Sequence, residues 1–261
     1  MKKIVALIMV ALMACGALAS CMGTADGDKA NIQKAGKILV GITDYEPMDY
    51  QDENGNWIGF DAELAEMFAD SLGVECVFVE IVDWDMKVGE INSKQIDVIW
   101  NGMTASESLG QEIDFSVSYA KNAQVAVAKK GTVAAADVAA ASIAVENGSA
   151  GETVVKEVIG ATNINEVGSQ LDALMEVASG TSQVAVIDIT MAQSVVGKGE
   201  FADLEIIEGA SYGDEIFAVG LRQGSDLKAD LDAFLKAKYA DGTMTALAEK
   251  YGVGLNTDAL K

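Results

Sequence analysis

The sequence contains no histidine, one proline (Pro47), one arginine (Arg222) and three cysteines. Without histidine, Ser-His-Asp and Cys-His catalysis are excluded, and so is a histidine-ligated metal site. Cys15 and Cys21 fall at the extreme N-terminus, which leaves Cys76 with no intramolecular disulfide partner. Cys76 lies inside the strand-like run Val74–Val82 and reads as a small buried hydrophobe. Positive charge is scarce, with 18 Lys+Arg against 40 Asp+Glu and a net charge of −22. So acidic a chain lacks the basic patches that nucleic acid or anionic lipid require. Long apolar runs are missing too. The longest, Ile4–Leu18, falls short of the ~20 residues that span a bilayer.

Lys2 and Lys3 precede that apolar run, and Ala19 and Ser20 stand before Cys21. This is the layout of a secretory signal over residues 1–20. Leu18-Ala19-Ser20-Cys21 resembles a bacterial lipobox, in which Cys21 is lipidated and becomes the mature N-terminus. Residues 21–31 are expected to be a polar tether, and the N-terminal lipid the only membrane contact.

Half of the chain is apolar, which argues against overall disorder and leaves room for one large domain or two lobes. Ile38–Ile42 reads as a first buried strand. Asp52–Asn56 is a hairpin-type turn between Met48–Gln51 and Trp57–Ile58. A helix fits Asp61–Leu72, with Leu64, Met67, Phe68 and Leu72 on one face and Gly73 as its stop. Val74–Val82 is the next strand, Asp85–Ser93 a short helix and Ile96–Trp100 another strand. That last strand breaks at Asn101-Gly102 into Thr104, Ser106 and Ser108. A strand ending this way exposes backbone polar groups at the sheet edge where open α/β sheets bind small ligands.

Val125–Ala128, Ser142–Val145, Val184–Ile187, Ile206–Ile207 and Ile216–Leu221 are strand-like, and Ser169–Gly180 is helical. Two helices close the chain, one through Leu227, Leu231, Phe234 and Leu235, the other through Met244, Leu247, Ala248 and Tyr251. This alternation predicts an α/β fold. There is no internal repeat or phosphate loop, and no cofactor or metal is expected.

Six phrases occur in order: Gly59–Ala65, Trp84-Asp85, Asp97–Thr104, Asp114–Ser116 with Tyr119, Gly148-Ser149 and Ile187-Asp188. Together they resemble the extracellular solute-binding proteins, family 3, which are receptors of polar amino acid ABC importers. The likeness runs from about Ile38 to Tyr251. It implies a two-lobed clamshell of the type II periplasmic-binding-protein class, with ligand held between lobes joined by two hinge crossings. Lobe 1 would comprise residues 32–121 and 215–261, and lobe 2 residues 122–214. The chain would be an extracytoplasmic monomer that delivers a small amino acid or amine to ABC permease subunits, and not an enzyme.

The resemblance also assigns candidate site residues. Tyr45 and Trp84 match positions whose rings sandwich the ligand side chain, a geometry suited to a cation or an aliphatic stem. Gly102 and Thr104 match groups that take the ligand's ammonium and carboxylate, beside Asn101. Asp188 matches the acidic partner of the ammonium, with a helix N-cap as its other role. Ser149 and Gly151 lie where a helix N-terminus would offer N–H groups to an anion. Trp57 reads as hairpin packing. Trp100 reads as strand core, with the cleft wall as an alternative.

Two departures stand out. The family places a carboxylate-clamping arginine five residues beyond the Thr104 position, where this chain has Leu109. A hydroxyl is usual after Ser149, where this chain has Ala150. Leucine cannot replace a bidentate guanidinium–carboxylate pair, so a zwitterionic amino acid becomes a less secure expectation. Arg222, at the end of a late strand, is expected on the surface. A dehydratase or peptidoglycan-cleaving enzyme on a related fold, and a sensory module, are the competing classes. Asp188 could act as acid or base, but no second catalytic carboxylate is evident from sequence.

Overall fold

A computed structural model describes residues 27–261; the signal and lipidation assignments at residues 1–20 and Cys21 lie outside the described residues. Two five-stranded sheets form the cores of two α/β lobes. In the first sheet, β1 (Lys37–Ile42) runs parallel to β4 (Glu75–Glu80) on one side and to β5 (Val98–Ile99) on the other. A late strand, β12 (Gly220–Leu221), pairs antiparallel with β5 and with β6 (Asp114–Phe115). The short hairpin β2 (Tyr50–Gln51) and β3 (Trp57–Ile58) stands apart from both sheets.

Phe60, Leu64 and Phe68 recur every four residues, so the helix Phe60–Leu72 turns one apolar face onto this sheet until Gly73 ends it in a left-handed cap. The closing helices Leu227–Ala240 and Thr243–Tyr251 bury Leu231, Leu235, Met244 and Leu247 in the same core.

The second sheet contains β7 (Ala120–Lys129), β8 (Ile143–Glu146), β9 (Ile164–Val167), β10 (Val184–Asp188) and β11 (Leu204–Phe217). β7 is antiparallel to β10 and β11, whereas β10, β8 and β9 are mutually parallel. Runs such as Val125–Ala128 and Val184–Ile187 are apolar throughout because both faces are covered. β7 and β11 start and finish at the first lobe, pairing Ala120 with Phe217 and Asn122 with Glu215. The chain thus passes between lobes on two adjacent antiparallel strands.

Three expectations need correction. Asp28–Ala35, partly assigned to the tether, is helical and buries Ile32 against the first lobe. The Ile206–Ile207 and Ile216 segments belong to one long strand, interrupted by two register shifts around Gly209 and Gly213. Arg222 is not a surface residue; it is only 9% exposed. Its Nε reaches Asp28 at 3.0 Å, its Nη1 the carbonyls of Ile91 and Ile96, and its Nη2 Asp97 at 3.1 Å. Burial alone would raise the Asp28 carboxyl, but the hydrogen bonds and charge of Arg222 outweigh it and hold it below the usual range.

Candidate functional site

A cavity of about 480 Å³ opens between the lobes, within the range of small-molecule sites. Tyr45, Trp84, Asn101, Gly102, Thr104, Leu109, Ser149, Ala150, Gly151 and Asp188 all line it. Trp100 does not. Its side chain is fully buried, packed on Phe68 with ring centroids 6.1 Å apart, so the strand-core alternative is the correct one.

The cavity floor is set by strand register. β7 places Gln124 opposite Asp188 of β10, and Asn122 opposite Glu215 of β11. Asp188 Oδ1 accepts hydrogen bonds from Asn122 Nδ2 at 2.5 Å and Gln124 Nε2 at 2.6 Å. Its Oδ2 accepts from Gln170 Nε2 at 2.7 Å. Asp188 occupies the N-cap position of the helix Ile189–Val195, but its side chain caps nothing. Its carboxylate is aimed at three amides.

Glu215 shares those donors. Its Oε2 accepts from Asn122 at 2.8 Å, Gln124 at 2.9 Å and Thr104 Oγ1 at 2.9 Å. Burial raises the pKa of both acids against these hydrogen bonds, and the Asp188 charge adds to the rise at Glu215. The cleft therefore does hold a second carboxylate near Asp188, contrary to expectation from sequence.

A third acid, Glu146, ends β8. It is 5% exposed and lines the cavity, and its carboxylate receives no hydrogen bond from any described side chain or backbone N–H. Burial, with repulsion from Asp188 second, pushes its carboxyl up to about 8 despite Lys87 nearby. Asp44, Asp85 and Glu112 also line the cavity, against Lys87 as its only basic side chain among the described residues.

Lys87 is buried, and burial lowers its pKa. Its ammonium donates to Trp84 O at 3.1 Å and Gly148 O at 2.9 Å, and stands 5.0 Å over the Trp84 ring. The bond to Gly148 joins the two lobes. On the other side of the cleft, Ser194 Oγ donates to Glu46 Oε1 at 2.8 Å. Gly148 also meets the first lobe directly: a Cβ there would lie 2.6 Å from Asp85 Cα, at a backbone φ of +70°. Only glycine fits that approach.

On the first lobe, Gly102 N–H donates to the buried Asp61 at 2.6 Å, and Tyr119 O–H to the same oxygen at 2.7 Å. Burial pushes Asp61 up to about 7. Asn101 closes a two-way bond with Thr43, donating to its hydroxyl and accepting from its N–H. Tyr45 is 3% exposed, its ring lies edge-on to Phe217, and its hydroxyl has no partner of ordinary geometry among the described residues.

Asn122, Gln124, Gln170, Glu146 and Glu215 were missed in sequence. Polar residues inside the apolar β7 run were the available signal for Asn122 and Gln124.

Residues 38–254 match the model of the bacterial extracellular solute-binding proteins, family 3. The chain belongs to this family. It is 29% identical over 227 residues to the L-cystine-binding protein TcyJ of Escherichia coli K12, covering 84% of each chain. It is 27% identical over 259 residues to the arginine-binding extracellular protein ArtP of Bacillus subtilis, covering 96% of each. Among solved structures, an ABC uptake transporter substrate binding protein from Streptococcus pneumoniae with bound histidine aligns at a TM-score of 0.80. That likeness has 26% identity and covers 87% of this chain and 97% of the other. The family members matched here are binding proteins for amino acids, and their fold is the two-lobed clamshell of type II periplasmic binding proteins.

Proposed function

We propose that this family member is a lipid-anchored extracytoplasmic receptor, tethered through Cys21, that captures a small amine-bearing solute and hands it to an ABC permease. The observation that carries this is the Asp188–Glu215 pair, gathered by shared amides on the strands that cross between lobes. An anionic floor at the crossings lets a cation tie both lobes to one ligand. Tyr45 and Trp84 supply aromatic wall for the solute's stem. Gly102 and Thr104 supply first-lobe polar contacts, and Ser149 to Gly151 the second-lobe rim. The lobes are taken as residues 32–121 with 215–261, and 122–214, in a monomer.

The experiment is a thermal-shift screen of the mature protein against amino acids and their amines, followed by solution scattering with each hit. A ligand at a hundredfold excess over its dissociation constant stabilises by about 2.7 kcal/mol, so true ligands stand out. Hits that shrink the radius of gyration are expected. A panel with no hits, or hits that leave the scattering profile unchanged, contradicts capture by closure. Mass spectrometry of the membrane-extracted protein should find the diacylglyceryl mass on Cys21.

A further inference from the structure

Resting on that receptor reading, we infer that the solute is an organic cation without a carboxylate, an amine or guanidine rather than a zwitterionic α-amino acid. The side chains a ligand carboxylate would need are either absent or engaged within the protein. Leu109 reaches the cavity wall with no charge to offer. The Thr104 hydroxyl donates to Glu215 at 2.9 Å. The Ser149 hydroxyl donates to Glu146 O at 2.7 Å and accepts from Glu152 N at 3.1 Å, so it is engaged in capping its own helix. Ala150 has no hydroxyl. Glu152 Oε2 already accepts the Gly148 N–H of the same loop at 2.9 Å.

Lys87 does not replace the lost clamp. Among the described residues it is the cavity's only basic side chain, and two carbonyls on opposite lobes hold its ammonium. Its job is to bridge the lobes. A ligand carboxylate entering here would face Asp188 and Glu215 in a partly desolvated space where like charges repel strongly. A ligand cation meets the reverse. Glu146 is buried with its carboxyl unbonded and turned to the cavity, and Glu215 Oε1 accepts no hydrogen bond from any described residue. Each is an acceptor open to an incoming donor.

Calorimetric titration with matched pairs tests this: arginine and agmatine, lysine and cadaverine, ornithine and putrescine, histidine and histamine. The amine of the best-binding pair should bind at least tenfold tighter than its amino acid. Leu109→Arg should shift that ratio at least tenfold toward the amino acid. An amino acid that binds as tightly as its amine, or tighter, overturns the inference and leaves the receptor function standing. So does binding of any of the other common amino acids when all four amines are silent. Silence across amines and amino acids alike, with no compaction in scattering, overturns both.

Discussion

Two of the places where this molecule gathers carboxylates out of water are built oppositely. Behind the first sheet, Arg222 meets Asp28, Asp97 and two backbone carbonyls, so charges 194 and 125 residues apart in sequence are matched inside the protein. In the cleft, Asp188 and Glu215 share amide and hydroxyl donors and Glu146 has none, and among the described residues the one cation on the wall, Lys87, is held by two carbonyls. The Arg222 cluster is complete and fastens the N-terminal helix to the lobe. The cleft cluster has no such internal counter-ion among the described residues, and in the receptor reading proposed above the solute supplies it. A buried charge raises stability only when its partner is present, so the same residue types make a staple in one place and a receptor in the other.

The largest effect expected from breaking this comparison is Arg222→Leu. It strands two acids and two carbonyls, which should cost about 3–5 kcal/mol in urea unfolding. Ligand affinity of the folded fraction should change less than threefold. Next is Gly148→Ala, which leaves every charge in place but puts a methyl where the lobes meet. Calorimetry should show at least tenfold weaker binding, about 1.4 kcal/mol, while unfolding changes little.

The smallest effect has the opposite sign to Arg222→Leu. Glu146 sits at about 8 when folded against a reference of 4.5, so the folded state retains a proton that the unfolded chain releases. Stability is full below about pH 4.5 and falls as pH rises toward 8. Glu146→Gln removes that loss. The ligand-free variant should be at least about 1 kcal/mol more stable than wild type at pH 8 and no more stable at pH 4.

Much of this fold was legible in the residues. The four-residue spacing of Phe60, Leu64 and Phe68, the run Val184–Ile187 and the ordered family phrases led to the α/β clamshell and to one cavity lined by ten expected residues. The failures share a cause. Arg222 looked exposed because nothing local shows that Asp28 and Asp97 converge on it. The helix Asp28–Ala35 looked like tether because its weakly amphipathic sequence is held by that same distant pairing. Glu215 and Asn122 became partners only through the register of β7 with β11, whose polar, glycine-bearing middle hid its continuity. Trp100 shared a phrase with true wall residues, but strand alternation turned it onto Phe68.

The most direct test of the central claim is calorimetry of the tightest amine on wild type and Asp188→Asn. The substitution keeps the side chain's shape and removes the charge that the amides of Asn122, Gln124 and Gln170 orient. The account predicts at least a hundredfold loss of affinity, about 2.7 kcal/mol, in a protein that still unfolds cooperatively. Binding within threefold of wild type would show that Asp188 is a structural acid and that the cleft does not bind through its charge.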